Sequence, residues 1–290
     1  MSTINLRRLR QDPHIRAMTR EVSVSVEQLI QPCFVTEAGR EPQAVPGLTG
    51  VFQETPDSLL HRVESDLRAG VSKFLLFGVP ASRAEHDVDA RFTCSQIEAL
   101  KKRFGKDIWL GVDVCMCSYT PHGHCGVLNL EGDHVDNSAS VRELAHLALH
   151  YAQAGADCVA PSDMMDGRIA AIRQALDGNG CERTVLMSYA VKFHSTLYGP
   201  FRVAADSAPS GAVKLKDRAS YQLDPARAGE AWLCTQRDVD EGADILMVKP
   251  GLPYLDLLRD LSREFKQPWA VYQVSGEYAA LESLAAAGMA

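Results

Sequence analysis

Short apolar runs alternate with helical stretches along this chain, and one kind of junction between them repeats. The runs cover residues 29–35, 73–77, 108–114, 158–160, 185–188, 245–248 and 270–273. They are too short for helices and rich in Val, Ile, Leu and Phe, which is how strands buried on both faces of a parallel sheet read. Helical patterns lie between them at 56–69, 141–154, 167–176, 226–241 and 254–265. Three of these end in the same punctuation shortly before a strand: Ala69-Gly70, Ala154-Gly155-Ala156-Asp157 and Glu241-Gly242-Ala243-Asp244. Glycine there takes the left-handed conformation and stops the helix. A repeated αβ junction predicts an α/β fold of the TIM (β/α) barrel type. An open doubly wound sheet is the competing architecture, but no GxGxxG or GxxxxGK[ST] supports it.

A barrel of this kind takes ~250 residues as one domain, so the 290 residues need no further division. Residues 24–290 are read as the barrel and 1–23 as an N-terminal arm carrying Arg7, Arg8, Arg10, Arg16 and Arg20. The arm is either a frayed terminus or a segment that wraps a neighbouring subunit. It lacks the apolar core of a secretory signal. A formal charge of −7 argues against nucleic acid as the main partner. No run of ~18 apolar residues exists to span a membrane. Eight cysteines in a chain read as cytoplasmic are expected as free thiols or metal ligands.

The densest chemical signal is Asp113-Val-Cys115-Met-Cys117-Ser-Tyr-Thr-Pro-His122-Gly-His124-Cys125-Gly126. A period of two puts Cys115 and Cys117 on one face at a strand end, and the turn through Pro121 and Gly123 can return Cys125 to them. Three thiolates with one position open suit a catalytic zinc better than a structural one, which takes a fourth protein ligand. Buried cysteines without a metal are the competing reading. His122 and His124 are read as turn or substrate-contact residues. A second signal is a pair of lysines ending strands, Lys192 and Lys249. Lysine is costly to bury, and at the C-terminal mouth of a barrel strand it reads as functional. Two ammonium groups in a partly dry pocket lower each other's pKa, and a neutral lysine is the nucleophile a Schiff base needs. A structural ion pair would be the alternative for a single lysine.

Three further segments complete the pattern. Ser162 and Asp166 lie in Pro161-Ser162-Asp163-Met-Met-Asp166-Gly167-Arg168, where either can cap the next helix. The irregular stretch 198–222 is long enough for a lid. Its Arg202 and Arg218 are suited to a bidentate hold on a carboxylate, with a solvated basic loop as the alternative. Ser275, in Tyr272-Gln273-Val274-Ser275-Gly276-Glu277-Tyr278, either binds a carboxylate or caps the following helix.

In combination, DVCMCSYTPHGHCG, APSDMMDGR, KFHSTLYGPFR, ILMVKPGLPYLD and YQVSGEY resemble the porphobilinogen synthase, or 5-aminolevulinate dehydratase, family. The resemblance runs from Arg7–Arg8 to the end of the chain. It implies a TIM barrel with an N-terminal arm, assembled into a homo-oligomer, often an octamer. It also implies condensation of two 5-aminolevulinate molecules into porphobilinogen with loss of two waters. By motif position, Lys249 and Lys192 match the Schiff-base lysines of the propionate-side and acetate-side substrates. Cys115, Cys117 and Cys125 match the ligands of a catalytic Zn2+, and a second site taking Mg2+ lies within what the resemblance allows. Asp113, Ser162, Tyr198, Arg202, Arg218, Gln222 and Ser275 match substrate-pocket positions. The chain departs from the family pattern at Ala190-Val191 before Lys192, at His194, at Ala219 and in a longer 204–216 segment. The alternatives are a paralogue acting on another aminoketone and a non-catalytic assembly partner. The family continues with a helix and an eighth strand beyond the position of Ala290, so the barrel is expected to have seven strands. Its first and seventh strands are then expected to have open edges unless residues 24–29 or a neighbouring subunit covers them.

Overall fold

The computed structural model describes residues 4–210 and 213–289. Positions 1–3 of the arm, 211–212 of the long loop and 290 of the barrel segment lie outside the described residues. The strands are β1 (Gln31–Thr36), β2 (Gln43–Ala44), β3 (Phe52–Glu54), β4 (Lys73–Val79), β5 (Trp109–Val114), β6 (Cys158–Pro161), β7 (Val185–Lys192), β8 (Ile245–Lys249) and β9 (Trp269–Val271). The helices are α1 (Pro13–Met18), α2 (Pro56–Arg68), α3 (Arg91–Phe104), α4 (Asn137–Gln153), α5 (Arg168–Asp177), α6 (Gly199–Ala204), α7 (Gly229–Asp240), α8 (Leu255–Glu264) and α9 (Ser275–Ala286). The strand order is β2-β3-β1-β4-β5-β6-β7-β8-β9. Every neighbouring pair is parallel except β2–β3.

Seven strands, β1 and β4 to β9, correspond to the seven apolar runs. Gly70, Gly155 and Gly242 at the repeated junctions have φ of 92°, 106° and 97°, the conformation that ends a helix and redirects the chain. Side chains alternate between two cores, as the period of two requires. Phe34, Leu75, Phe77, Met187, Tyr189 and Met247 fill the barrel interior. Val35, Leu76, Val112, Leu186 and Val248 face outward, in one core with Leu59, Ile97, Leu144, Ile172 and Leu261 of the helices.

The expectation for the edges is corrected on one side. Strand β3 runs parallel to β1, with Phe34 opposite Gln53 and Val35 opposite Glu54, so this edge is paired within the chain. Residues 24–29 do not cover it; Val26–Gln28 form an exposed 3-10 turn. Among the described residues no strand pairs with the outer edge of β9. Helix α9 reaches across that side, where the Tyr278 hydroxyl donates to the Thr49 carbonyl at 2.7 Å.

Candidate active site

Of the residues singled out above, Asp113, Cys115, Cys117, Ser162, Lys192 and Lys249 converge at the C-terminal ends of β5 to β8. Lys192 and Lys249 are opposite one another in the β7–β8 register. They reach the same cavity by different routes. On β8, Met247 and Lys249 share the inward face by simple alternation. On β7, Met187 and Tyr189 face inward, and alternation alone would turn Lys192 outward. The register changes between Ser188 and Val191, where β7 carries one extra residue. A bulge of this kind re-aims the side chains beyond it, and Lys192 ends inside with its amine donating to the Ser162 carbonyl.

Both lysines are almost fully buried, at 5% and 3% exposure. The Lys249 amine lies 3.7 Å from the centre of the Tyr272 ring and 4.6 Å from that of Phe201. Burial, reinforced by the charge of Lys192, brings the Lys249 pKa down to about 7. Asp113, at the end of β5, is pushed up to about 6 by burial, while the two lysines pull it back. Its Oδ1 and the hydroxyl of the fully buried Tyr189 have no hydrogen-bond partner within the protein. Asp113, Cys115, Cys117, Ser162, Lys192, Tyr198, Phe201, Arg218 and Lys249 together line one cavity with ≈ 10 Å³ of open volume. That is about the space of one water.

The loop after β5 folds as the sequence implied. The His122 ring accepts from the His124 amide at 3.0 Å and Thr120 donates to the His124 carbonyl at 3.0 Å, which returns Cys125 to Cys115 and Cys117. The three sulfurs lie within 4.8 Å of one another, all buried and none in a disulfide. This donor set fits a soft or borderline divalent metal. His124 is committed elsewhere, with Nδ1 3.1 Å from the Tyr221 hydroxyl and Nε2 3.0 Å from the Leu215 carbonyl.

The long loop lies over this centre. Gly123 has φ 73°, and a Cβ there would sit 2.5 Å from the Ala208 carbonyl, so the loop packs directly onto the cysteine turn. Arg218 is buried and donates to the carbonyls of Gly123 and Ser207. Arg202 is half-buried, its pKa lowered by burial and by Arg218. Among the described residues neither arginine faces a carboxylate within ion-pair distance, and both Nε atoms are buried without a partner. Arg218 has the cysteine cluster beside it as counter-charge, but a buried cation without one is costly, and for Arg202 an anionic ligand would supply what is missing.

Other placements differ from the sequence reading. Asp166 does not cap α5; that position is Gly167, and the Asp166 carboxylate pairs with Arg237. Ser275 does not cap α9 and does not line the lysine cavity. Its hydroxyl accepts from Phe201 N at 3.0 Å and donates to the Leu197 carbonyl at 3.1 Å, while Glu277 accepts from Val274 N at 2.6 Å. Gln222 is buried with neither amide atom bonded and lines a neighbouring cavity instead. The Tyr198 hydroxyl is held by the Phe193 carbonyl at 2.6 Å. Sequence reasoning missed Tyr189, Phe201 and Arg168; plain alternation sets Tyr189, three positions before Lys192, on the other face of the strand from that lysine, and only the bulge brings the two together.

The family profile described as Delta-aminolevulinic acid dehydratase matches residues 3–290. The Delta-aminolevulinic acid dehydratase of Methanothermobacter thermautotrophicus is 42% identical over 290 residues, covering 99% of this chain and 87% of that protein. The one from Halalkalibacterium halodurans is 41% identical, covering 97% and 85%. Among solved structures, the Toxoplasma gondii ME49 enzyme in complex with its reaction product porphobilinogen superposes with a TM-score of 0.93 at 37% identity, covering 100% of this chain and 82% of that one.

Proposed function

The chain belongs to the delta-aminolevulinic acid dehydratase family, and from that premise we infer that it condenses two 5-aminolevulinate molecules into porphobilinogen, releasing two waters. Its relatives' activity and the match to a product-bound synthase disfavour both a paralogue on another aminoketone and a non-catalytic partner. The observation that carries the mechanism is the facing pair Lys192 and Lys249, buried at one cavity.

In this reading each lysine attacks the keto carbon of one substrate. The amine adds to the carbonyl, the resulting hydroxyl leaves as water, and a C=N bond forms. Lys249 suits the first attack because its amine is half deprotonated near neutral pH. Asp113 and Ser162 hold or exchange protons beside the two amines. Arg202, Arg218 and Gln222 receive substrate carboxylate from the lid, and Tyr198 and Ser275 fix the wall on the Lys249 side. Cys115, Cys117 and Cys125 would hold a zinc ion, which would supply Lewis acidity at this end of the cavity. By the family resemblance, a second site would take magnesium.

An arm at 1–23 distinct from the barrel, with Ile4 81% and Val22 79% exposed, is suited to cover another copy in a homo-oligomer, an octamer by resemblance. Eight free thiols fit a reducing cytoplasm. The deciding experiment is incubation of reduced, zinc-loaded protein with 5-aminolevulinate, read by a pyrrole colour reaction and by borohydride trapping with peptide mapping. Pyrrole formation with label on Lys249 and Lys192 is expected. Label on other lysines, or none at saturating substrate, would overturn the assignment.

A further inference from the structure

Behind β7, on the face turned away from the barrel interior, lies a charged cluster closed to solvent. Arg168, Asp163, Asp238 and Ser188 are each 0% exposed. Arg168 Nη2 donates to Asp238 Oδ2 at 3.0 Å, to Ser188 Oγ at 3.2 Å and to the Tyr189 carbonyl at 3.5 Å. Its Nη1 donates to the Met165 carbonyl at 3.2 Å. The Ser188 hydroxyl donates to Asp238, whose other oxygen accepts from Arg237 at 3.0 and 2.9 Å. Arg168 Nε faces Asp163 Oδ2 at 3.7 Å.

A buried ion pair is weak evidence for stability, because desolvation offsets much of the attraction and apolar packing does as well. What this cluster holds is therefore informative. It grips β7 at Ser188 and Tyr189, where the register with β8 changes. It also grips the turn after β6, through the Met165 carbonyl and through Asp163, which accepts from Met165 N at 2.7 Å. That turn contains Met164 at φ 81°, an unusual conformation for a side-chain-bearing residue. Both places bear on one catalytic group. The bulge turns Lys192 inward, and the turn presents the Ser162 carbonyl to which its amine donates. Lys249 has no such support, being aimed by plain alternation along β8.

We propose that Arg168 is a positioning residue for Lys192: it locks the β7 bulge and the β6–α5 turn together, so that this lysine alone depends on it for its aim. The proposal rests on the reading of Lys192 as an imine-forming residue. It predicts an asymmetric defect, since loosening the cluster misdirects Lys192 and leaves Lys249 in place.

The test uses the full chain, zinc-loaded, with 5-aminolevulinate and borohydride, and reads the ratio of label on Lys192 to label on Lys249. In Arg168→Gln the ratio should fall roughly tenfold or more, as expected for a reacting group displaced by about 1 Å. In Ser188→Ala, which removes one hydroxyl and leaves the ion pair, it should fall by a smaller factor in the same direction. Retained labelling of Lys249 shows that each variant is folded. If Arg168→Gln does not fold, Ser188→Ala decides alone. A wild-type ratio in folded variants overturns the proposal, whereas wild-type protein that labels neither lysine overturns the imine reading beneath it.

Discussion

Two lysines of the same chemistry sit side by side in different surroundings. Lys249 lies on aromatic faces, and its pKa of about 7 follows first from burial and then from Lys192. Below that value its amine is protonated and cannot attack a carbonyl; above it the neutral form dominates. Borohydride labelling of Lys249 should therefore rise as pH increases through about 7. In Lys192→Ala the neighbouring positive charge is gone, the Lys249 pKa rises, and the midpoint should move to higher pH. A midpoint unmoved in that variant would show that burial alone sets the value. The three cysteines give a separate measurement. Cys115→Ala combined with Cys117→Ala leaves one thiol, too few for a zinc site, so zinc content and pyrrole formation should be lost together. Unchanged zinc stoichiometry would remove these sulfurs from the metal site.

At the scale of elements, the long loop and the cysteine turn behave as one packed unit, joined through Arg218, Tyr221 and the close approach at Gly123. Arg202 carries no such structural load, which makes it the cleaner probe of carboxylate binding. A charge-assisted contact is worth ~1.5–3 kcal/mol, so Arg202→Ala should raise KM about ten- to a hundredfold with little change in Tm. Arg218→Ala should also speed proteolysis within 205–222, because two carbonyls lose their donor. Unchanged kinetics in Arg202→Ala would leave it a solvated basic residue. The elements themselves differ in how far the sequence announces them. The seven βα strands were legible because each is an apolar run closed by a turn signal. The β2–β3 hairpin was not, since strands of two and three residues with exposed positions carry no periodicity. Nor was the β7 bulge, because one extra residue is visible only against a partner strand. Lys192 was thus found by its type and motif, while the device that aims it was invisible. Ser275 shows the converse: its motif marked it, yet its hydroxyl is bound to 197–201.

Across the whole molecule, charge and apolar surface are unevenly divided. The arm holds five arginines against Asp12 and Glu21, a net of +3, so the remaining residues carry −10 of the chain's −7. The arm also exposes Ile4, Leu6, Leu9, Met18 and Val22. Burying one such side chain fully gains about 1.5–3 kcal/mol, yet within one chain these five stay mostly exposed. Helix α1 spans only Pro13–Met18, far below the ~12 residues at which an isolated helix becomes marginally stable in water. On the proposed homo-oligomer, the acidic remainder of a second copy would supply the opposite charge and the surface that the arm lacks within its own chain. The full chain should elute as an oligomer in size-exclusion chromatography with light scattering, and removal of residues 1–23 should yield a smaller species. High salt should weaken the full-length assembly by screening the charge component without abolishing the apolar one. A 24–290 fragment that kept the full-length mass would place the subunit contact on the barrel instead.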